Sequence, residues 1–347
     1  MNKERIPAIT GIGKAVPPRI VINSDIDQIL EKQAGFTSRL MRMAKVGIES
    51  RHWVKPGEQA TSDLAVEASI QALKMAGISK EQLKTIVVAT GTSDFVAVAA
   101  AAIVQHKLGL PSNIRAYDVY AACPGWVQAM QNVFADLTSS YGQGGPQLVV
   151  GAEVISPILS KNRPDTFAIF ADAAGATTVD LVEPDEGAPT KIAFAFGSDG
   201  QYADKLNVLA GGSKYPTSAE TVAKDMHTVN MDGRLVKEKA ITRMTELTKQ
   251  VLEKAGVPQE EVTLFIPHQA NLQIIKETAE ALNFPQERVF VTVDHMGNTS
   301  AASIPTALYE AYEQGAIKRN DILAVVSFGA GMLYAAAVLP MVGLPKK

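Results

Sequence analysis

Short apolar segments rich in β-branched residues recur along this chain of 347 residues and alternate with segments of helical periodicity. Continuous apolar runs of about four to eight residues are typical of buried strands, because both faces of a parallel sheet are covered in α/β proteins. The alternation of such strands with helices predicts an α/β fold with covered sheets. The predicted strands are 85–90, 115–120, 147–153, 262–267, 288–293 and 322–328.

Two of the intervening helices are marked clearly by their ends. The first opens with the capping-type residues Thr61 and Ser62 and closes at Gly77. The second is predicted to stop at Gly256 and Pro258, which favour a helix end. Its apolar residues follow one another at spacings of three and four, as one buried helix face requires. They are Val236, Ala240, Met244, Leu247 and Val251.

The order of elements predicts two similar halves. Residues 63–160 and 235–340 both read as helix, strand, helix, strand, helix, strand, although their sequences differ. Charge, glycine and proline cluster at 183–190, which marks a boundary between them. We therefore predict an N-terminal half at 1–185 and a C-terminal half at 186–347.

Composition excludes several classes of protein. A hydrophobic content of 46% argues against disorder, and a net charge of −3 gives no reason to expect a nucleic-acid partner. No segment offers the apolar length of a membrane span, and the N-terminus has no signal-type apolar core. A single cysteine forms no internal disulfide and builds no multi-cysteine metal site. These features predict a cytoplasmic protein without a metal or a membrane span.

The single cysteine lies where a predicted strand gives way to a helix. Cys123 follows a strand that ends near Tyr120, and Pro124 suits the first position of a helix. A thiol at a helix N-terminus meets unpaired N–H groups and the positive end of the helix dipole, which favour a thiolate. The alternative is a packed, unreactive cysteine, since free cysteine is among the most buried residue types.

Two further junctions of the same kind carry chemically useful side chains. His268 stands between the strand 262–267 and a predicted helix, and Asn298 precedes the helix after the strand 288–293. The carboxyl ends of strands in α/β sheets are where such proteins place their sites. We therefore expect Cys123, His268 and Asn298 to form one constellation.

The motifs around these three residues resemble a known family. "DVYAACPGW", "IPHQANLQII", "GNTSAASIP" and "SFGAGM" are similar to the motifs of the β-ketoacyl-acyl-carrier-protein synthase III family, the initiating condensing enzymes of the thiolase superfamily. The resemblance extends over nearly the whole chain in the order of the family. It implies a five-layered αβαβα thiolase fold built from two similar halves, and a homodimer.

The resemblance also implies a reaction and roles for individual residues. Cys123 would be acylated by a thioester of coenzyme A or acyl carrier protein, with the N–H groups of Cys123 and Ala330 as the oxyanion hole. His268 and Asn298 would hold a malonyl-type thioester while it loses carbon dioxide, and Phe328 would guide decarboxylation. No metal or redox cofactor would be required. Further candidates for substrate binding are Gln269, Asn271, Arg51, Lys45 and Lys237.

Several departures from the family pattern concern the acyl donor. Met41 and Lys45 occupy positions where a Trp and an Arg commonly contact the coenzyme A nucleotide. Lys237 replaces an aromatic residue, and Gln273 replaces a basic residue often implicated in docking of the carrier protein. These changes weaken a stacking surface for adenine and a positive patch for an acidic carrier. We therefore expect a divergent acyl donor, in fatty-acid or secondary metabolism.

Two alternatives stay open from the sequence. The enzyme would join two acyl chains, or transfer an acyl group from Cys123 to an alcohol or amine without decarboxylation. Retention of both His268 and Asn298 favours carbon–carbon bond formation, because simple acyl transfer has less need of donors for an enolate. A non-catalytic subunit that keeps the fold only for assembly is the other alternative, and the intact trio argues against it.

Overall fold

The computed structural model describes residues 4–30 and 46–346. In this part of the chain the strands form a five-stranded sheet, a four-stranded sheet and two short strand pairs. The strands are β1 (Ile6–Ala15), β2 (Ile20–Ile22), β3 (Ser50–His52), β4 (Thr85–Ala89), β5 (Arg115–Val119), β6 (Gln147–Glu153), β7 (Ala173–Val182), β8 (Ala193–Ser198), β9 (Leu206–Val208), β10 (Val229–Met231), β11 (Leu264–Pro267), β12 (Ile322–Gly329) and β13 (Leu333–Pro340). The helices are α1 (Asn23–Leu30), α2 (Thr61–Ala76), α3 (Ala100–Lys107), α4 (Gly125–Thr138), α5 (Pro164–Phe167), α6 (Ala219–Ala223), α7 (Gly233–Ala255), α8 (Leu272–Ala281), α9 (Val293–Met296) and α10 (Ser303–Glu313).

The two larger sheets share one pattern of strand pairing. The first has the order β1-β7-β6-β4-β5, in which β7 is antiparallel to β1 and β6, and β4 is parallel to β5 and β6. The second has the order β8-β13-β12-β11, in which β13 is antiparallel to β8 and β12, and β11 is parallel to β12. The fold therefore consists of two similar halves, as the order of elements predicts.

Helices α4 and α10 form a central layer between the sheets. One continuous core joins residues of these helices, such as Trp126 and Leu308, to inward-facing residues of both sheets, such as Val87 and Leu323. A second core packs α7 and α8 against the outer face of the four-stranded sheet. A third packs α2 and α3 against the outer face of the five-stranded sheet. The expected five-layered αβαβα arrangement is confirmed.

Helix α7 follows the periodicity of its sequence. The five apolar residues that the spacing assigns to one face are all buried. At its start the Asp232 side chain accepts a hydrogen bond from the Leu235 N–H, and at its end Gly256 adopts a left-handed φ of 60°. The other positions of α7 are rich in Lys and Glu. Among all the helices in residues 4–30 and 46–346, none is long and apolar enough to cross a membrane.

The predicted strand at 288–293 is wrong. Only one parallel bridge, between Val289 and Phe265, occupies the place that β5 has in the first sheet. The Gln269 carboxamide oxygen accepts hydrogen bonds from the N–H groups of Thr292 at 2.8 Å and Val293 at 3.2 Å. Because these donors are taken by a side chain, the segment turns into α9 instead of extending the sheet.

Candidate active site

Cys123 lies in the sharp turn between β5 and α4. Its side chain is buried, with 7% of its surface exposed, and the helix begins at Gly125 directly after Pro124. Ala122 adopts a φ of 48°, in the left-handed region that residues with a Cβ rarely occupy. The expected position at the head of a helix is confirmed.

His268 directly follows the last residue of β11. Its backbone N–H donates to the Val326 carbonyl oxygen at 2.7 Å, which continues the pairing of β11 with β12. The imidazole is buried, and its Nδ1 lies 2.6 Å from the Ser303 hydroxyl at the start of α10. Burial lowers the pKa of His268 to about 3, so the ring is neutral near pH 7.

Asn298 is fixed by its own backbone. Its N–H donates to the Ile169 carbonyl oxygen at 2.9 Å, and its carbonyl oxygen accepts from the Ala171 N–H at 2.9 Å. The side-chain oxygen Oδ1 accepts from the Ser300 N–H at 2.9 Å. Since the amide oxygen accepts in this contact, Nδ2 carries the side-chain N–H groups of Asn298 that can donate to a ligand.

Cys123, His268 and Asn298 line one narrow cavity of about 60 Å³, together with Phe328. Cys123 and His268 reach the cavity from junctions after β5 and β11, Asn298 reaches it from the loop after α9, and Phe328 comes from β12. The ring of Phe328 is buried and stacked on Tyr334 at 6.4 Å between centroids. The cavity therefore offers one nucleophile, two neutral nitrogen-bearing side chains and an apolar wall.

Cys123 also lines a second and larger cavity. Its volume is about 360 Å³, and Cys123, Ser300, Glu153 and Ala330 are among its lining residues. Much of the remaining wall is apolar, formed by residues such as Ile155, Ile158, Phe170, Leu206, Val229 and Leu333. Cys123 thus contributes to the walls of two cavities, both of which are lined mainly by apolar residues.

Three of the seven described non-glycine residues with a left-handed φ lie in segments that contribute to the wider cavity. Besides Ala122, Ser300 has a φ of 50° and Met332 a φ of 48°. Each such residue costs of the order of 1–3 kcal/mol, and it persists only where the surrounding structure holds it. The strain lies where the Cys123 turn, the Asn298 loop and the end of β12 meet.

The pKa of Cys123 differs from the expectation. Burial raises it to about 12, and the negative charge of Glu153 acts in the same direction. In the resting site burial therefore opposes the thiolate that the helix terminus is expected to favour. A deeply buried sulfur loses more solvation on ionising than the end of a helix returns.

Of the five predicted substrate-binding residues, two lie at the narrow cavity, two are buried elsewhere, and one is outside the described residues. Lys237 and Asn271 line it, although Lys237 already pairs with Glu277 at 2.7 Å and Asn271 caps α8 through the Ile274 N–H. Lys45, like Met41, falls outside the described residues.

Arg51 and Gln269 are structural in this fold, so their expected contact with substrate is corrected. The Arg51 side chain is fully buried, and its guanidinium donates to the carbonyl oxygens of Val21 at 3.2 Å and Ala168 at 2.7 Å. Gln269 is 1% exposed, and its amide group donates to the Pro267 carbonyl oxygen at 2.7 Å. Both side chains use their hydrogen-bonding groups to join backbone segments.

Sequence reasoning missed three polar residues of the site. Ser303 contacts His268, and Ser300 lies between Cys123 and Glu153. Glu153 carries the clearest signal, because it is a carboxylate at the end of the otherwise apolar run 147–153. That run pairs in parallel with β4, the neighbour of β5, so Glu153 belongs to the sheet edge that carries Cys123.

The backbone at Gly329 leaves no room for a side chain. A Cβ there would lie 2.8 Å from the Cys123 nitrogen and 3.0 Å from its Cβ. We expect Gly329→Ala to lower the free energy of unfolding by about 1–3 kcal/mol, as overpacking does, and to displace the thiol. A thermal melt and the rate of Cys123 alkylation measure the two effects. Gly200→Ala is the matched control, because a Cβ there meets nothing within 4 Å. Equal behaviour of both variants would contradict the tight contact.

A five-layered α/β fold that brings Cys, His and Asn to one cavity defines a condensing enzyme of the thiolase superfamily. Two family models match the chain, 3-oxoacyl-[acyl-carrier-protein] synthase III at residues 117–200 and its C-terminal model at 252–341. The β-ketoacyl-[acyl-carrier-protein] synthase III of Symbiobacterium thermophilum is 38% identical over 97% of this chain and 98% of its own. The chain belongs to the 3-oxoacyl-[acyl-carrier-protein] synthase III family, and it is an acyltransferase of the condensing type.

Solved structures agree with this assignment. The family member from Thermus thermophilus superposes with a TM-score of 0.83 at 36% identity, over 96% of this chain and 98% of that one. A priming β-ketosynthase from the R1128 polyketide pathway superposes with a TM-score of 0.84 at 27% identity, over 99% of both chains. The family and fold implied by the sequence motifs are confirmed.

Proposed function

We propose that Cys123 accepts an acyl group from a thioester of coenzyme A or acyl carrier protein, and that this group then condenses with a malonyl thioester carried by acyl carrier protein. Loss of carbon dioxide drives the condensation, and the product is a β-ketoacyl thioester. The observation that carries the proposal is the meeting of Cys123, His268 and Asn298 at one cavity. The names of the relatives, which are β-ketoacyl-[acyl-carrier-protein] synthases, support the same reaction.

Acylation begins with attack of the Cys123 sulfur on the thioester carbonyl. The carbonyl oxygen becomes an oxyanion, which the N–H groups of Cys123 and Ala330 stabilise in this proposal. Collapse of this intermediate expels the carrier thiol and leaves the acyl group on Cys123. The apolar cavity that Cys123 and Ala330 line supports the placement of the acyl chain there.

Condensation requires two donors aimed at the thioester oxygen of the extender. Loss of carbon dioxide turns that oxygen into an enolate oxygen, to which His268 Nε2 and Asn298 Nδ2 donate in this proposal. A neutral imidazole carries one proton, so Nε2 donates only if Nδ1 accepts. The Ser303 hydroxyl at 2.6 Å from Nδ1 is placed to donate to it and to select this tautomer. The apolar Phe328 ring favours loss of a carboxylate that it cannot solvate.

The proposed reaction is a sequence of acyl transfer and enolate chemistry in which thiol, imidazole and amide groups suffice. It requires no metal or redox cofactor.

We assign the enzyme to the cytoplasm and to a homodimer. Apolar side chains at Phe95 and Val96, exposed at 64% and 91%, support a subunit interface beside Gly91 and Thr92, which line the wider cavity.

Product analysis tests the proposed reaction. Purified enzyme is incubated with an acyl-coenzyme A, with and without malonyl-acyl carrier protein, and the products are identified by mass spectrometry. We expect a β-ketoacyl-acyl carrier protein and release of carbon dioxide only when the malonyl thioester is present. A product that joins two acyl chains, or an acyl ester or amide formed without malonyl thioester, would instead support the alternative reactions.

The volume of the wider cavity predicts a preference for acyl donors longer than acetyl. Ile158→Trp should fill part of this cavity and lower kcat/KM for an eight-carbon acyl-coenzyme A by about tenfold or more, with a smaller effect on acetyl-coenzyme A. Ile70→Trp is the matched control, because Ile70 lies on the exposed face of α2. Efficient turnover of acetyl-coenzyme A alone by the wild-type enzyme would contradict the preference.

A further inference from the structure

Glu153 is a buried carboxylate that the reaction described above does not use. It is 2% exposed and lines the wider cavity with Cys123. Among the residues that the structure describes, it forms no ion pair with a lysine, arginine or histidine. Burying an unpaired carboxylate is costly, so its presence beside a nucleophile points to a role in the chemistry.

The Ser300 hydroxyl connects this carboxylate to the thiol. Ser300 Oγ lies 3.1 Å from Glu153 Oε1 and 3.5 Å from Cys123 Sγ. The Ser300 hydroxyl has one proton and cannot donate it to both neighbours at once. It can donate this proton to Glu153 while its oxygen accepts the proton of the Cys123 thiol. The strained backbone of Ser300 and its N–H contact with Asn298 hold the hydroxyl in this position.

Hydrogen bonds stabilise the Glu153 carboxylate, and the groups that donate them carry no positive charge. The Thr92 hydroxyl donates to Oε2 at 2.5 Å, and the Gly91 N–H lies 3.2 Å from both carboxylate oxygens. On the neighbouring elements, the described titratable group that faces Glu153 is the thiol of Cys123. The nearby Asp94 is turned to Ser62 and Lys107 instead. Burial raises the pKa of Glu153 to about 7, which suits a group that exchanges a proton at neutral pH.

We propose that Glu153 is the proton acceptor for Cys123 and acts through the Ser300 hydroxyl. As the sulfur bonds to the acyl carbon, its proton passes to Ser300 Oγ and the Ser300 proton passes to the Glu153 carboxylate. The bond from the acyl carbon to the carrier sulfur breaks, and the departing thiolate takes a proton from solvent. This inference rests on the proposed acylation of Cys123.

The same relay returns the proton in the second half of the reaction. When the enolate attacks the acyl group, the bond between carbon and Sγ breaks and Cys123 leaves as a thiolate. Glu153, now a neutral acid, gives its proton back through Ser300 and restores the thiol. The cycle consumes one proton overall, taken up by the carrier thiolate. A protonated Glu153 also adds no negative charge while the anionic extender occupies the site.

Alkylation of Cys123 by iodoacetamide tests the relay without any substrate. The rate is followed by intact mass from pH 5 to 9.5, since the chain has a single cysteine. In the wild type we expect the rate to rise with pH, to bend near pH 7 as Glu153 ionises, and then to level off. Glu153→Gln and Ser300→Ala should both lose the bend and react at least tenfold more slowly at pH 7.5. Asp172→Asn, the matched control, removes another buried carboxylate that has no contact with Ser300 and should keep the bend.

Two outcomes would overturn the relay. If Glu153 acts only as a negative charge that opposes the thiolate, Glu153→Gln will react faster than the wild type at every pH. If Glu153 only anchors the loop at Gly91 and Thr92, Glu153→Gln will keep the bend in the profile. Failure of the proposed acylation is distinguishable, because the alkylation profile would keep its bend while no thioester acylates Cys123.

Discussion

Replacing Cys123 by alanine is expected to abolish acylation of the chain and to lower turnover by at least about 10⁴-fold. The chain holds no other cysteine that would take over the acyl group. Intact mass spectrometry after incubation with an acyl-coenzyme A should show one acyl adduct on the wild type and none on Cys123→Ala. The fold should persist, because the change removes a single heavy atom from a buried position.

A matched control separates loss of the nucleophile from loss of packing. Ser327 is buried as well, it lies on β12, and its hydroxyl has no hydrogen-bond partner in the described structure. Ser327→Ala removes one heavy atom as Cys123→Ala does, and it should keep the adduct. An adduct of unchanged yield on Cys123→Ala would place the acyl group elsewhere and contradict the assignment of the nucleophile.

Removing His268 or Asn298 is expected to separate the two halves of the reaction. His268→Ala and Asn298→Ala should still form the acyl adduct, because the nucleophile and its carbonyl-binding N–H groups remain. Condensation with the malonyl thioester should fall by about 10²–10³-fold, the usual cost of one lost donor to an oxyanion. Single-turnover measurements of adduct formation and of carbon dioxide release distinguish the two steps.

The pH dependence of condensation follows from the low pKa of His268. The ring takes up a proton only near pH 3, so its protonation should produce no loss of condensation rate between pH 8 and 5. Burial sets the direction of the pKa shift. It disfavours the charged imidazolium, so the ring stays neutral to lower pH. Equal loss of acylation and condensation in His268→Ala, or an inflection near pH 6.5 that disappears in this variant, would contradict the role given to His268.

Local patterns in the sequence determine much of this fold. The apolar run 147–153 predicts β6, and the spacing that ends at Val251 predicts the buried face of α7, because both signals are contained in a few neighbouring residues. The same holds for the junctions that carry Cys123, His268 and Asn298. Their position after predicted strands leads to the expectation of one site, although Asn298 follows α9 and not a strand in the structure.

Features set by distant parts of the chain could not be predicted in this way. Glu153 meets Thr92 across 61 residues and Ser300 across 147, so its relation to Cys123 appears only in the folded molecule. The pKa of Cys123 depends on burial by the other half of the chain, including the close approach of Gly329. Arg51 resembled a substrate ligand in the motif, but backbone carbonyl groups from distant segments take up its guanidinium.

If the acyl group on Cys123 is the electrophile of the condensation, a chase experiment will show its transfer to the extender. Acyl-enzyme is prepared with an acyl-coenzyme A, freed of excess donor, and mixed with malonyl-acyl carrier protein. We expect the adduct mass to disappear within one turnover while β-ketoacyl-acyl carrier protein and carbon dioxide form in equal amounts. An adduct that survives the chase, or that is released as free acid at the same rate with and without malonyl thioester, would contradict it.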